Sequence, residues 1–291
     1  MRIRIAYRKT HWRDQSMSTP FTVSRALAAS GLVPFEAKLL LAHVLGRDRA
    51  WLAAHADEAV TAEQAKTFDA LARRLRDGEP VAYLIGRREF YGLDLAITPD
   101  VLIPRPETEL LVDLALARLP ADREARVLDL GTGSGAVALA IAAARRTARV
   151  VGTDISAAAL ALAAQNAARL GIGNVSFRAS DWFATLGSER FDLIAGNPPY
   201  VAAGDPHLNE GDLRHEPPKA LTPGADGLNA IRAIVAAAPA HLVSGGWLLL
   251  EHGHDQADTV GELFRDAGFA DVGAARDLAG ILRVSYGRIR A

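Results

Sequence analysis

Apolar residues recur at helical spacing in the first part of the chain. Phe68, Leu71 and Leu75 are three and four residues apart, so that they share one face of a helix. The segment Thr61–Gln64 has the sequence of a capping box, which predicts that this helix begins there. The pattern predicts a small all-helical domain over residues 17–80.

After Val81 the pattern changes from helical to roughly alternating, which is typical of strands. Gly86 and the pair Tyr91–Gly92 interrupt the alternation at positions that suit turns. We therefore expect a β-hairpin linker over residues 81–104. Residues 1–16 show no helical stripe and are predicted to be a disordered leader.

Strand-like apolar runs alternate with helix-like segments over residues 105–291. This order predicts an α/β fold with a doubly wound, mostly parallel sheet and helices on both faces. Seven strands are predicted, at residues 127–130, 149–153, 174–178, 191–195, 246–251, 271–276 and 281–287. Ligands of such sheets bind at the carboxyl ends of the strands, so that functional residues are expected there.

Composition excludes several kinds of protein. The chain has 291 residues, enough for about two domains. It has no cysteine, which excludes disulfides, thiolate metal sites and a cysteine nucleophile. No apolar run approaches the roughly 18 residues of a membrane span, and the start lacks the apolar region of a signal peptide. We therefore expect a cytoplasmic protein with no membrane partner.

Charge argues against a nucleic-acid partner. Residues 17–80 carry eight basic and eight acidic side chains, and residues 81–291 carry twenty basic against twenty-five acidic ones. A protein that binds nucleic acid directly would show clustered lysine and arginine. Neither part of the chain has such an excess of positive charge.

Two histidines in the last third of the chain are candidates for metal ligands. His252 and His254 lie beside Glu251, but no third ligand follows at a recognisable spacing. We therefore predict no metal site, and we expect both histidines to be exposed in a loop.

A glycine-rich turn follows the first predicted strand of the sheet. It reads Asp129, Leu130, Gly131, Thr132, Gly133, Ser134 and Gly135. Glycines at a strand-to-helix turn permit a ligand to approach the backbone closely. Asp154 ends the next strand, where its carboxylate can accept both hydrogen bonds of a ribose diol. The ligand is therefore predicted to be a nucleoside.

Two nucleoside cofactors compete for these residues, a nicotinamide dinucleotide and S-adenosylmethionine. The third glycine comes one residue earlier than in the dinucleotide fingerprint, and Asp129 would repel a pyrophosphate. The same anion suits the ammonium and sulfonium charges of S-adenosylmethionine, which we favour. Asp181 and Trp182 follow the third strand and are expected to bind the adenine by a hydrogen bond and an aromatic wall.

The loop after the fourth strand carries the candidate reaction chemistry. It reads Asn197, Pro198, Pro199 and Tyr200. Because prolines have no backbone donor, the loop presents acceptors, namely the Asn197 side-chain oxygen and the Pro198 carbonyl. Both can hold a planar NH2 group by its hydrogens, while Tyr200 offers a ring for stacking. The loop predicts methyl transfer to an amide or arylamine nitrogen.

Taken together, the glycine-rich turn, Asp154, Asp181–Trp182 and Asn197–Tyr200 resemble the class I amino-methyltransferases. Within that group, the chain looks like the peptide chain release factor glutamine N5-methyltransferases. The further segments that carry this resemblance are Arg88–Tyr91, Pro104–Glu109, Leu242–Gly253 and Arg283, behind a helical N-terminal domain. The resemblance implies a Rossmann-like class I methyltransferase domain over residues 105–291 and a substrate-recognition role for the helical domain.

The resemblance also implies a substrate. S-adenosylmethionine would donate the methyl group and leave as S-adenosylhomocysteine, and Asn197 would contact this cofactor. The Asn197–Tyr200 loop would hold the glutamine of a Gly-Gly-Gln loop in a class 1 release factor, with Phe90 and Arg105 bordering the same pocket.

The Asn197–Tyr200 loop by itself leaves the acceptor open. Adenine N6-methyltransferases that act on DNA or RNA use the same kind of loop, and a small molecule with an amino group is a further alternative. The negative charge of residues 81–291 favours a protein acceptor over a nucleic acid.

Overall fold

The computed structural model describes residues 21–120, 123–209 and 211–290. The described residues divide into two compact units, one up to Arg76 and one from Asp77 onward. The predicted leader, residues 1–16, lies outside the described residues.

The first unit consists of helices. They are α1 (Val23–Ala29), α2 (Pro34–Leu45), α3 (Arg49–Ala54) and α4 (Ala62–Arg76). The capping box is confirmed, because the Gln64 N–H donates to Thr61 Oγ1 at 3.2 Å and the Thr61 N–H donates to Gln64 Oε1 at 3.0 Å. Phe68 is buried on the inner face of α4, as its helical spacing predicts.

The segment predicted as a hairpin linker contains the hairpin but begins with a helix, and all of it belongs to the second unit. Helix α5 spans Val81–Ile85, and the antiparallel hairpin is limited to β1 (Arg87–Phe90) and β2 (Leu93–Ala96). Phe90 and Leu95 are buried in the same core as the large sheet. The sequence pattern missed α5 because five residues are too few to show helical periodicity.

The second unit is built on a seven-stranded sheet, as predicted. Its strands are β3 (Arg126–Leu130), β4 (Arg149–Asp154), β5 (Val175–Ala179), β6 (Phe191–Gly196), β7 (Leu242–Glu251), β8 (Ala270–Arg276) and β9 (Leu282–Arg288). The order across the sheet is β5-β4-β3-β6-β7-β9-β8, and β9 runs opposite to the other six strands. The prediction of a mostly parallel sheet is confirmed.

Helices cover both faces of this sheet. The helices that follow β2 along the chain are α6 (Glu109–Arg118), α7 (Ala136–Ala144), α8 (Ala157–Leu170), α9 (Pro218–Leu221), α10 (Asn229–Ala237) and α11 (Ala257–Asp266). Successive strand residues point to opposite faces. Val127 therefore packs in the core with α6 and α7, whereas Leu128 packs in the core with α10 and α11.

The topology brings four polar residues to one edge of the sheet. Asp129, Asp154 and Glu251 lie at or next to the carboxyl ends of β3, β4 and β7, and Asn197 follows β6 directly. β3 and β6 are neighbours, and the strand order reverses between them. This is the position at which open α/β sheets bind their ligands.

Among the described residues, none of the helices combines the length and hydropathy that crossing a bilayer requires.

Candidate functional site

The first cavity at this edge, which we name the glycine-turn cavity, has a volume of about 540 Å³. Its wall contains backbone from the turn, three acidic side chains and several apolar ones. The residues are Asp100, Val101, Leu102, Gly131, Gly133, Asp154, Ile155, Ser156, Ala159, Ser180, Asp181, Trp182, Asn197, Pro199, Pro217, Pro218 and Ala220.

Within the glycine-rich turn, only Gly131 and Gly133 reach the cavity wall. Both have positive φ angles, 68° and 55°, which glycine adopts without strain. Gly135 has a different purpose, since a Cβ there would lie 3.1 Å from the Cβ of Ala163. The turn therefore combines an open backbone toward the cavity with close packing behind it.

Thr132 and Ser134 of the turn are buried and do not line the cavity. The Thr132 N–H donates to the Thr153 carbonyl, and the Ser134 carbonyl accepts from the side-chain amide of Asn166 at 3.0 Å. For these two residues the structure shows a scaffold position, and a direct contact with a ligand stays a prediction.

Asp129 also lies beneath the turn and not in the cavity wall. Its Oδ2 accepts from Thr132 Oγ1 at 2.7 Å and from the Ala138 N–H at 3.1 Å. Burial raises the pKa of this carboxyl to about 7, against the opposing effect of the two hydrogen bonds. This position does not support the predicted pairing of Asp129 with cationic groups of a cofactor. Instead, the Asp129 carboxyl stabilises the turn through its hydrogen bonds to Thr132 and Ala138.

Asp154 is placed as predicted, at the end of β4 and in the cavity wall. Oδ2 accepts from the Gly133 N–H and Oδ1 from the Ser156 N–H, both at 2.9 Å. These two bonds fix the carboxylate and still leave lone pairs on each oxygen. A pair of ribose hydroxyls is a donor set that such a carboxylate can bind.

Apolar side chains flank this carboxylate. Trp182 lines the cavity close to Gly131, where an added Cβ would lie 3.7 Å from the ring. Its φ of 46° is unusual for a residue other than glycine. Ile155 lines the cavity as well and is 71% exposed. Together with the exposed Asp181, these residues offer an apolar slot with a polar end, which suits a purine base.

The second cavity, which we name the proline-loop cavity, has a volume of about 650 Å³. It is lined by the predicted acceptor loop and by several ionisable side chains. The residues are Leu102, Arg105, Glu107, Asn197, Pro198, Pro199, Tyr200, Val201, Gly211, Asp212, Leu213, Ala220, Leu221, Glu251 and Arg283. Asn197 and Pro199 belong to the walls of both cavities, so the two meet at the start of this loop.

The Asn197 side chain is held in one orientation. Its Nδ2 donates to the hydroxyl of Thr108 at 3.2 Å, and Thr108 is buried at the end of a short 3-10 helix, Pro106–Thr108, that precedes α6. Because the nitrogen is committed to Thr108, the oxygen is the atom that Asn197 can offer to a donor. This agrees with the predicted use of the loop as an acceptor.

Tyr200 is anchored at both ends. Its hydroxyl donates to Glu251 Oε1 at 3.2 Å, and its carbonyl accepts from the side-chain amide of Gln256 at 3.0 Å. Gly227 packs against the same carbonyl so closely that a Cβ there would lie 2.2 Å from the oxygen. The loop is therefore rigidly mounted at the edge of the cavity.

Glu251 is 1% exposed at the end of β7. Burial raises the pKa of this carboxyl to about 7, while Thr108, Tyr200 and Arg283 act in the opposite direction. Burial and the nearby Glu251 carboxylate also raise the pKa of Tyr200, so that its hydroxyl keeps its proton and remains a donor.

Of the two residues carried over from the family resemblance, Arg105 lines the proline-loop cavity and Phe90 does not. Arg105 Nη2 lies 2.6 Å from Glu216 Oε2, and the other oxygen of Glu216 accepts from the Ile103 N–H. Phe90 is 1% exposed in the core, because the pleat of the short β1 strand turns its side chain inward. Its predicted place at the pocket is wrong.

His252 is buried, contrary to the expectation of an exposed loop. Its Nδ1 donates to the Gly253 carbonyl at 2.8 Å and its Nε2 accepts from Ser285 at 3.0 Å. Burial lowers its pKa, which keeps the ring neutral. His254 is exposed as expected. Within the described ranges, no group of three or more His, Cys, Asp or Glu side chains is arranged to hold a metal ion.

Several residues in or behind the cavity walls were given no role from the sequence. Ile155 could have been found, because it directly follows Asp154 on the strand-end loop. Thr108, Glu251 and Glu216 could not be assigned from local patterns, since each acts across more than 50 residues of sequence on Asn197, Tyr200 or Arg105.

Comparison with known families also separates an N-terminal domain from a methyltransferase domain. Residues 22–86 match the family described as the PrmC N-terminal domain. Residues 121–223 match the family described as a methyltransferase domain.

Curated relatives match almost the full chain. A release factor glutamine methyltransferase of Xylella fastidiosa (strain Temecula1) is 52% identical over 263 residues, which cover 90% of this chain and 96% of the relative. One of Bordetella pertussis is 52% identical over 262 residues, with 90% and 97% covered. One of Escherichia coli (strain K12) is 44% identical over 278 residues, with 96% and 98% covered.

Solved structures share the fold. A methyltransferase from Pyrococcus furiosus has a TM-score of 0.53 at 19% identity, covering 75% of this chain and 98% of its own. A 16S rRNA N2 G1207 methyltransferase of T. thermophilus, in complex with AdoMet and guanosine, has a TM-score of 0.53 at 23% identity, with 70% and 50% covered. These likenesses establish the class I methyltransferase fold.

Proposed function

Because this chain belongs to the release factor glutamine methyltransferase family, we propose that it methylates the side-chain amide nitrogen of the glutamine in the Gly-Gly-Gln loop of class 1 peptide chain release factors. The methyl donor of the family is S-adenosylmethionine. One observation carries the proposal. Asn197 lies in the wall common to both cavities, with its nitrogen bound to Thr108 and its oxygen available to an acceptor amide.

The glycine-turn cavity fits the cofactor. The Asp154 carboxylate would accept the ribose hydroxyls, Ile155 and Trp182 would enclose the adenine, and the Gly131 and Gly133 backbone would permit close approach. When bound, S-adenosylmethionine supplies an electrophilic methyl group on a sulfonium. The protein's own task on this side is to hold the donor so that this methyl group faces the wall shared with the proline-loop cavity.

On the other side of this wall, the chain binds and orients the acceptor. The Asn197 oxygen and the Pro198 carbonyl would accept the two hydrogens of the glutamine NH2 group, while the Tyr200 ring packs against the planar amide. An amide nitrogen is a weak nucleophile because its lone pair is delocalised into the carbonyl. Two fixed acceptors stabilise the positive charge that develops on this nitrogen, and they do so most strongly in the transition state.

The geometry requires no strong base before the attack. The nitrogen becomes acidic only as the new N–C bond forms, so that its proton can leave afterwards. The Asn197 oxygen and the Pro198 carbonyl hold that proton in place during transfer.

The release factor itself is proposed as the partner. A separate helical unit, described from residue 21 to 76, offers a surface for recognition beyond the reacting loop. Residues 81–291 carry twenty basic against twenty-five acidic side chains, which supports a protein over a polyanion as acceptor. A partner in translation also supports the cytoplasmic location expected from the sequence.

The deciding experiment incubates the protein with an intact class 1 release factor and labelled S-adenosylmethionine. Tandem mass spectrometry of the digested factor is expected to locate one added methyl group on the Gly-Gly-Gln glutamine. A short Gly-Gly-Gln peptide should react much more slowly, because remote contacts contribute binding energy that positions the reacting group. Parallel reactions with DNA and RNA provide the contrast, and label on either one with none on the glutamine would refute the proposal.

A further inference from the structure

Two arginines line the proline-loop cavity, and they are bound in different ways. Arg105 Nη2 lies 2.6 Å from Glu216 Oε2 and its Nη1 lies 3.7 Å from Asp212 Oδ2, so that both terminal groups face carboxylates. Arg283 is bound through Nε, which donates to Asp277 Oδ2 at 3.2 Å. Among the described residues, its terminal nitrogens have no hydrogen-bond or ion-pair partner. The terminal N–H groups of Arg283 therefore remain available to a bound molecule.

The topology of the sheet places Arg283 beside the acceptor loop. Strand β9 runs antiparallel to β7, so that it begins where β7 ends. Val284 pairs with Glu251, and the His252 N–H donates to the Arg283 carbonyl at 2.9 Å. The positive charge of Arg283 opposes the rise in the pKa of Tyr200 and of Glu251, so that the guanidinium acts on the same cavity wall.

Asp277 fixes the guanidinium of Arg283. The Asp277 side chain is 5% exposed in the β8–β9 connection. Its Oδ1 accepts from the N–H groups of Ala279 and Ile281, both at 2.9 Å, which leaves Oδ2 to Arg283. A guanidinium that is held by Nε keeps four further N–H donors on its terminal nitrogens. The Arg283 side chain is 23% exposed, so that a molecule in the cavity can contact it.

The chemistry of the acceptor decides which of its atoms suits these donors. Glycine has no side chain, so a Gly-Gly-Gln loop presents only main-chain groups beside the glutamine. A main-chain carbonyl accepts charge-assisted hydrogen bonds from a guanidinium. The side-chain carbonyl of the glutamine is an unsuitable target, because a positive charge there would draw the nitrogen lone pair further into the amide and weaken the nucleophile.

We propose that Arg283 is a substrate-binding residue whose terminal N–H groups donate to main-chain carbonyl oxygens of the glycines that precede the acceptor glutamine. The proposal rests on the function assigned above. The Asn197 oxygen and the Pro198 carbonyl hold the reacting amide, and Arg283 holds the backbone that carries it. An adenine has no carbonyl group, so this contact also favours a peptide loop over a nucleic-acid base.

The first test is Arg283→Met, which keeps an unbranched apolar stem and removes the donors. With an intact release factor as substrate, we expect the KM for the factor to rise about 10- to 100-fold, the scale of lost hydrogen bonds to a charged group. The kcat at saturating factor should stay within about threefold, because the contact is made equally before and during transfer. The Kd for S-adenosylmethionine should stay within about twofold, since Arg283 does not line the glycine-turn cavity.

Two further variants separate binding from a change in the fold. Arg283→Lys keeps the charge and should recover part of the affinity for the release factor, although a single nitrogen replaces the planar group. Arg276→Met is the matched control. Arg276 is an exposed arginine next to the same connection, its Nη1 donates to the Gly280 carbonyl at 2.6 Å, and it lines neither cavity. Its KM for the release factor should stay within about twofold of the wild type.

A comparison of two small acceptors identifies the atoms that Arg283 binds. Acetyl-Gly-Gly-Gln-amide carries the glycine carbonyls, whereas glutaramide has the same reacting amide and lacks them. Both are used at high concentration with labelled S-adenosylmethionine. Arg283→Met should lower kcat/KM for the peptide about 10- to 100-fold and should leave kcat/KM for glutaramide within about twofold, because the variant and the truncated acceptor remove the same contact.

Three results would overturn the proposal. They are a KM of Arg283→Met for the release factor that equals that of the wild type, a fall in kcat with an unchanged KM, and an equal loss of activity on the peptide and on glutaramide. These outcomes differ from a failure of the proposed function. In that case the wild type itself would leave the Gly-Gly-Gln glutamine unmethylated, whereas here the wild type methylates it and only the variants behave differently from expectation.

Discussion

The two cavities at the strand ends are built in different ways. The glycine-turn cavity takes its shape mainly from backbone, with Gly131 and Gly133 in its wall and Asp154 fixed by two N–H groups. The proline-loop cavity takes its shape from side chains that hold one another, such as Glu251 with Tyr200 and Arg105 with Glu216. The glycine-turn cavity is therefore formed mainly by two neighbouring strand ends, whereas the proline-loop cavity depends on contacts between segments that are far apart in the sequence.

The difference is clearest in the two buried carboxyls. Burial raises the pKa of Asp129 and of Glu251 to about 7. Asp129 Oδ2 accepts hydrogen bonds from Thr132 and Ala138, whereas Glu251 Oε2 has no hydrogen-bond partner in the described part of the chain. Asp129 therefore braces the turn beneath the first cavity, whereas Glu251 lies in the wall of the second cavity, where it can contact a bound group. Changes at the two cavities should therefore affect different measurements.

The largest effect is expected for Asn197→Ala, at the wall shared by both cavities. Removing the amide oxygen should lower kcat by about 100-fold or more, because this oxygen supports charge that develops only during transfer. The Kd for S-adenosylmethionine should change much less than the rate. Single-turnover kinetics and calorimetry measure the two separately. A normal kcat combined with a weakened Kd would assign Asn197 to the donor side alone.

Asp154→Ala, in the glycine-turn cavity, should have the opposite effect, because it should weaken cofactor binding and leave kcat at saturating cofactor little changed. The loss of hydrogen bonds to a charged acceptor, about 1.5 to 3 kcal/mol, should weaken S-adenosylmethionine binding roughly 10- to 150-fold. At saturating cofactor, kcat should recover. Asp154→Asn keeps one acceptor oxygen and should lie between the wild type and the alanine variant in calorimetry. An unchanged affinity in Asp154→Ala would place the ribose elsewhere.

Local sequence patterns were sufficient for the first cavity and for the sheet. The turn from Asp129 to Gly135 and the residue Asp154 lie at consecutive strand ends, and alternating apolar runs located the seven strands to within a few residues. The start of β7 at Leu242 was missed, because its Ser244–Gly246 stretch is not apolar.

The proline-loop cavity could be predicted only in part. Asn197–Tyr200 is a contiguous motif, but Thr108 and Glu251 reach it from 89 and 51 residues away. For Phe90 the error is the reverse, since a residue was assigned to the pocket that does not line it. The family resemblance suggested this place, but the pleat of β1 turns the Phe90 side chain into the core. Pairings of this kind depend on the folded topology, which a single sequence does not specify.

Asp129→Asn tests the bracing role of the first buried carboxyl. In the folded protein the pKa of Asp129 is raised from 3.8 to about 7, so its contribution to stability is fully present below about pH 4 and is lost as the pH rises through about 7. Asparagine can accept both bonds from Thr132 and Ala138 without titrating. The Tm of the variant minus the Tm of the wild type should therefore increase between pH 5 and pH 8. The increase should be about 3 °C for each kcal/mol of stability that the wild type loses when Asp129 ionises. A difference that does not change with pH would contradict this.

The smallest effect is expected at the apolar wall of the glycine-turn cavity. Ile155 is 71% exposed beside Asp154, and contact with an adenine would cover part of that surface. Covering about 40 Å² contributes roughly 1 kcal/mol, so Ile155→Ala should weaken S-adenosylmethionine binding about fivefold and leave kcat at saturation unchanged. Leu278→Ala is the matched control, because Leu278 is fully exposed in the β8–β9 connection and lines neither cavity. Calorimetry on the two variants should separate a wall residue from an ordinary exposed aliphatic one, and equal affinities would remove Ile155 from the adenine site.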